Sequence, residues 1–189
     1  MRWSRVTLAA MVSVSIAGCS GGSRTVPLCT QADVNIFVLV AQAVPSATQL
    51  PCIAELPSGW SYGSSDISSG LARFWLDSDR AGFHAVEVSL RRSCDTTDAI
   101  EERPAADETG THVFVRPDSL EPAFRAQRFL LFEGGCIDYE FRFAPGAAST
   151  LAIEAIEAIS QLPRATIVGV VSVDPGLTLC GAGAPPCPG

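Results

Sequence analysis

Polar and apolar positions alternate along two neighbouring stretches, residues 71–77 and 83–91, with Ser78 to Gly82 between them. A period of two marks a half-buried strand, because successive side chains point to opposite faces. Paired as a hairpin with Asp77 opposite Phe83, the register sets Phe74 opposite Val86 and Leu76 opposite His84. Ala72, Phe74, Leu76, Val86, Val88 and Leu90 then share an apolar face. Arg73, Glu87, Ser89 and Arg91 share the other, with Arg73 opposite Glu87. A second hairpin is predicted from residues 127–133 and 136–143 around Gly134-Gly135, a pair suited to a tight turn with positive φ. Its apolar face carries Ile137, Tyr139, Phe141 and Phe143, and its wet face Asp138, Glu140 and Arg142. Residues 111–116 predict a short strand stopped by Pro117, after a polar, acidic connection over 94–110.

The strongest helical period spans 148–162, with Ser149 as cap and Pro163 as terminator. Leu151, Ala152, Ala155, Ile156, Ile159 and Leu162 fall on one side, and Glu154, Glu157 and Gln161 elsewhere. Two apolar stretches stay open between strand and helix. One is 35–44, rich in Val and ending at Pro45; the other is 166–173, β-branched but with an Ile167/Val170/Val171 helical stripe. Leu56-Pro57-Ser58-Gly59 is a turn leading into Trp60. Several antiparallel strands followed by a helix predict an α+β domain, an antiparallel sheet built from hairpins with a C-terminal helix packed on one face.

The chain opens differently. Arg2 and Arg5 precede an almost unbroken apolar run over 6–17. That length suits the core of an export signal and falls short of the ~20 residues of a membrane-spanning helix. The run ends in Ile16-Ala17-Gly18-Cys19, which resembles the lipobox of bacterial lipoproteins, with Ile16 where Leu is commoner. The resemblance implies a signal peptide over 1–18 and a lipid thioether on Cys19. It also implies an anchor in the cell membrane with the protein on the extracytoplasmic face. Residues 19–28, with Ser20-Gly21-Gly22-Ser23, form the lipidated N-terminus and tether, and 29–189 a single disulfide-stabilised domain. Leu56-Pro57-Ser58-Gly59-Trp60 is similar to a turn that often opens the Mog1/PsbP-like fold, which carries a late helix over its sheet. The likeness covers roughly residues 56–162 and brings no catalytic residues. The chain as a whole resembles actinobacterial lipoproteins of this kind, a source that its Ala, Gly and Pro content and the absence of any Lys also suit.

Net charge is −7, and −9 once Arg2 and Arg5 are removed, a poor match for nucleic acid or anionic headgroups. Six cysteines follow Cys19. An even number in an exported chain reads as disulfides. Six cysteines allow 15 connectivities, and spacing does not choose among them; the pairing expected is Cys180 with Cys187 across a short Gly/Pro-rich loop, Cys29 with Cys52 around one N-terminal segment, and so Cys94 with Cys136. A zinc site competes poorly, since there is no pair at C-x₂-C spacing and only two His are present.

Candidate chemistry is thin. Gly59-Trp60-Ser61-Tyr62-Gly63 satisfies G-x-S-x-G, but a nucleophile elbow needs a strand before the Ser and a helix after it. Pro57 precedes it and Ser64 to Gly70 follows it, and the base would have to be His84 or His112. Asp77-Ser78-Asp79-Arg80-Ala81-Gly82 resembles the opening of an EF-hand loop, then fails at Ala81 and Val88, so a hairpin turn is expected. Asp95, Asp98, Glu101, Glu102, Asp107 and Glu108 read as a solvated acidic loop. No phosphate loop, basic stripe or cofactor motif is present in the sequence, and no cofactor or metal is expected. The sequence therefore points to a non-enzymatic envelope lipoprotein that binds an envelope protein or a small ligand. Its rivals are a secreted serine hydrolase using Ser61 and a purely structural envelope component.

Overall fold

The computed structural model describes residues 26–30, 34–105, 108, 110–173, 176 and 178–187. The export run, the lipobox, Cys19, the Ser/Gly tether and Asp107 lie outside the described residues. The first helix, α1, is Val34–Ala43, and β1 is Gln49–Ile53. The alternating centre of the chain supplies β2 (Trp60–Ser68), β3 (Leu71–Ser78) and β4 (Gly82–Arg91). After the acidic connection come β5 (Ile100–Glu102), β6 (His112–Ser119), β7 (Arg125–Phe132) and β8 (Gly135–Arg142). The chain continues through α2 (Leu151–Ala158), β9 (Ile159–Pro163) and α3 (Arg164–Val171). No helix among the described residues is long and apolar enough to cross a membrane.

Strands β2 to β8 form one antiparallel sheet in the order β2-β3-β4-β8-β7-β6-β5. Two meanders meet where β8 pairs with β4. Alternation puts Phe74, Leu76, Val86, Val88, Leu90, Ile137, Tyr139 and Phe141 on a common inner face, all buried. α1 lies across this face beside α3 and contributes Phe37, Val40, Ala41 and Val44, while α3 contributes Ile167 and Val171. Burying each such large side chain is worth about 1.5–3 kcal/mol. The structure is thus the expected α+β architecture, with an antiparallel hairpin sheet and a C-terminal helix.

The first hairpin shows how the expected faces survive a wrong register. Phe74 pairs with Val88 and Leu76 with Val86, two residues from the expected partners, and Trp75 rather than Arg73 stands opposite Glu87. A slip of one residue turns every side chain over, whereas a slip of two restores each to its face. The shift originates in a bulge beyond Leu76, where Asp77 spans the stretch from Phe83 to Ala85. His84 takes a left-handed φ of 47°, and its backbone N–H donates to Asp77 Oδ1 at 2.7 Å. His84 therefore does not sit on the apolar face beside Leu76. It stacks on Trp75 at the outer face, and Phe83 swings into solvent with 76% of its surface exposed.

Other boundaries moved for tertiary reasons. The helix expected over 148–162 ends at Ala158, and residues 159–163 form β9 against β1, from Ile53 opposite Ile159 to Gln49 opposite Pro163. The exposed edge of β1 offers that segment a ladder, and pairing overrides helix period. Ser149 is not the cap; Thr150 holds that position without a side-chain hydrogen bond. Both ambiguous apolar stretches are helical: α1 packs against β2 and β3, and α3 against α1 and β9, so neither joins a sheet edge. β6 runs through Pro117 to Ser119 with a register irregularity just beyond Pro117. The second hairpin turns on Glu133-Gly134, because Phe132 already pairs with Gly135. Of Gly134 and Gly135 the first alone has positive φ, at 77°, and any Cβ there would overlap the Ser46 carbonyl.

The six cysteines pair as Cys29–Cys52, Cys94–Cys136 and Cys180–Cys187, with Cα–Cα distances of 5.1, 6.0 and 4.8 Å. Val26 to Cys29 already belongs to the domain: Ile53 N–H donates to Pro27 O at 2.8 Å and Cys29 N–H to Ile53 O at 2.9 Å. The tail is pinned by Arg164, a buried guanidinium that donates to the carbonyls of Ala41, Cys180 and Ala182.

Candidate binding groove on the outer sheet face

The period that buries Val86, Val88 and Leu90 turns Glu87, Ser89 and Arg91 toward the opposite face. Neighbouring strands align these outer positions in rows. One row runs Trp75, Glu87, Glu140, Gln127, Arg116, and the next Arg73, Ser89, Asp138, Phe129, Phe114. Like charges stand side by side at Glu87 and Glu140, which alone would repel. Arginines from adjacent rows resolve this. Arg142 grips Glu140 through two nitrogens and lies 3.7 Å from Glu87. Arg73 reaches Glu87 at 3.5 Å and Asp66 at 2.9 Å, with its guanidinium over the Trp75 ring. The Trp75 indole N–H donates to Glu87 Oε2 at 3.0 Å. The Glu87 side chain is thereby only 9% exposed, on a face expected to be simply wet.

Beside this network lies a groove of about 250 Å³, lined by Arg91, Cys94, Arg116, Gln127, Asp138 and Glu140. The Cys94–Cys136 disulfide supports one wall. Arg116 is held over the Phe129 ring and donates to Thr97 O at 3.0 Å and to the Gln127 carbonyl oxygen. Asp138 Oδ1 is buried with no hydrogen-bond partner among the described residues. Burial pushes the Asp138 carboxyl up to about 6; Arg91 opposes the shift, and Glu140 and Glu87 reinforce it. A cleft that holds an unsatisfied, proton-shifted carboxyl next to fixed cationic donors has the hallmarks of a binding site. No sequence motif announced it. The available signal was the position of Asp138 two residues after Cys136, which places both on one face of one strand.

The residues singled out from the sequence are arranged differently. Ser61 lies within the edge strand β2, opposite Asp77, not at a strand-to-helix turn. Among the described residues its hydroxyl bonds to neither histidine. Asp77 serves the His84 backbone rather than its ring, and that ring is held between Phe83 at 3.8 Å and Trp75 at 5.1 Å. His112 pairs at 3.2 Å with Glu101 across β5 and β6, both exposed. The EF-hand-like segment is a hairpin turn in which Ser78 Oγ accepts the N–H groups of Arg80 and Ala81. The acidic loop is not uniformly solvated. Glu108 is buried against Arg128 at 2.8 Å. Burial pushes Glu108 up, but the hydrogen bonds from Arg128 and the Ala105 N–H outweigh this and hold it below the usual carboxylate range. Among the described residues no three His, Cys, Asp or Glu side chains converge as a metal site. No known family, curated protein or solved structure matches the chain.

Proposed function

We propose that this chain is a lipid-anchored protein of the extracytoplasmic membrane face that acts as a non-enzymatic binding module, using the outer face of its seven-stranded sheet. The observation that carries the reading is the Asp138 groove: an unsatisfied carboxyl oxygen and a walled cavity on a face that need only be solvated. An idle sheet face gains nothing from an orphaned buried oxygen, which costs about 1–3 kcal/mol. The lipobox and three cysteine pairs at disulfide distance support an oxidising compartment outside the cytoplasm. Lipid on Cys19 would hold the domain at the membrane, with two or more acyl chains needed for stable anchoring.

Two measurements test this together. Mass spectrometry of the membrane fraction should find an N-terminal peptide that begins at Cys19 and carries acyl mass. A photo-crosslinking residue at Ser93, on the groove rim, should capture envelope material in intact cells, and one at Thr166 on α3 should not. An unmodified N-terminus elsewhere, or equal capture from both positions, overturns the reading.

A further inference from the structure

We infer that the Asp138 groove recognises a neutral polyhydroxyl group, such as the edge of one sugar ring, an inference that rests on reading the outer face as a binding surface. The argument begins from what each lining residue has left to offer. Arg91 donates through Nε to Ser89 Oγ at 3.1 Å, and its terminal N–H groups make no hydrogen bond among the described residues. Gln127 spends its carbonyl oxygen on Arg116, so its amide N–H₂ remains as a donor. Glu140 has both oxygens on Arg142 and offers little. Asp138 lines the groove, and its buried Oδ1 has no hydrogen-bond partner among the described residues. The free valences are thus an acceptor on β8 flanked by donors on β4 and β7, the two strands that pair with it.

Charge then selects among ligands. Of the lining charges, Arg91 and Arg116 face Asp95 and Asp138, and the third acid, Glu140, is held by Arg142 from outside the groove, so neither sign dominates inside it. An anion that meets Arg91 also meets Asp138, and a cation that meets Asp138 also meets Arg91. A hydroxyl avoids the conflict because it donates and accepts at once. Two neighbouring hydroxyls can donate to Asp138 while accepting from Arg91 and the Gln127 amide. The cavity of about 250 Å³ lies below the ~300–1,000 Å³ of drug-sized pockets and suits a single small ring. Phe129 is buried beneath Arg116, so recognition works through hydrogen bonds rather than ring stacking.

The test uses the full disulfide-bonded protein in lipid nanodiscs and saturation-transfer NMR, with methyl β-D-glucopyranoside as the probe and acetate and ethylammonium as ionic competitors. Transfer to the sugar ring protons is expected at millimolar probe. Asp138→Ala and Gln127→Ala should each weaken it by about tenfold, the cost of losing one good hydrogen bond. Glu157→Gln, at an exposed position of α2, should leave it unchanged. Gln127→Ala carries the test if Asp138→Ala fails to fold. Absence of transfer, transfer that both variants retain, or displacement by acetate or ethylammonium overturns the inference. If the sugar fails while the Ser93 crosslinker still captures envelope material selectively, the ligand class falls and the binding role stands; if both fail, both fall.

Discussion

Asp138 is where burial and ionisation conflict most visibly. Its carboxyl titrates near 6 in the folded protein, against about 3.9 for an unfolded aspartate. The folded state therefore holds its proton more tightly, and stability falls as pH rises through roughly 4 to 6. Above that window the folded protein carries the full penalty of a buried, half-satisfied charge. Asp138→Asn keeps the shape and removes the charge. It is expected to raise stability at pH 7 by about 1–3 kcal/mol and to change little at pH 4. Urea unfolding of both proteins at the two pH values checks this; equal gains at both would mean that the amide merely packs better. Sequence alone did place Asp138 on the polar face. It could not show that the face is roofed there, because Arg91, Arg116 and Cys94 arrive from other strands and loops.

At the scale of elements, the β3–β4 hairpin depends on one carboxylate. Asp77 Oδ1 accepts the N–H of a left-handed His84 and so stabilises a bulge that a regular ladder lacks. A non-glycine residue in this conformation costs on the order of 1 kcal/mol and persists only where its surroundings demand it. Asp77→Ala is expected to cost about 1–2 kcal/mol and to increase amide exchange at His84 and Ala85 while Val86 to Leu90 stay protected. Loss of protection along all of β4 would mean that the bulge sets the register of the whole strand. The apolar faces of this hairpin were readable because alternation survives a shift of two. The pairs were not, because the bulge needs an interaction between Asp77 and a backbone seven residues away. β9 escaped for a related reason: residues 159–163 continue a good helical stripe, and only β1 as a neighbour makes a strand the better state.

For the whole molecule, three cross-links close loops of different length, with sequence separations of 42, 23 and 7 residues for Cys94–Cys136, Cys29–Cys52 and Cys180–Cys187. Restricting the unfolded chain stabilises in that order, by about 4, 3.5 and 2.5 kcal/mol. Paired Cys→Ser replacement, one bridge at a time, should lower stability in the same sequence in chemical denaturation. The short C-terminal loop is the informative exception. It also presents Cys180 O and Ala182 O to the buried Arg164 guanidinium, so opening it strips hydrogen-bond acceptors from a charge that has no acid partner among the described residues. A loss at Cys180–Cys187 above that of Cys29–Cys52 would show that the Arg164 contact, not loop entropy, dominates there.

Pattern alone was enough for the α+β class and for the faces of both central hairpins, and cysteine spacing suggested the three pairs that the structure brings to disulfide distance. These are local or combinatorial properties: period, turn chemistry and loop length. Packing across the fold settled which apolar stretches became helices, where β9 begins, how β3 and β4 register, and which polar residues meet. Each of those depends on what lies across from a segment rather than on what it contains. The groove is the clearest case, since Arg91 and Cys94, Arg116, Gln127 and Asp138 come from four separate parts of the chain and become neighbours only when β4, β8, β7 and β6 pair in that order.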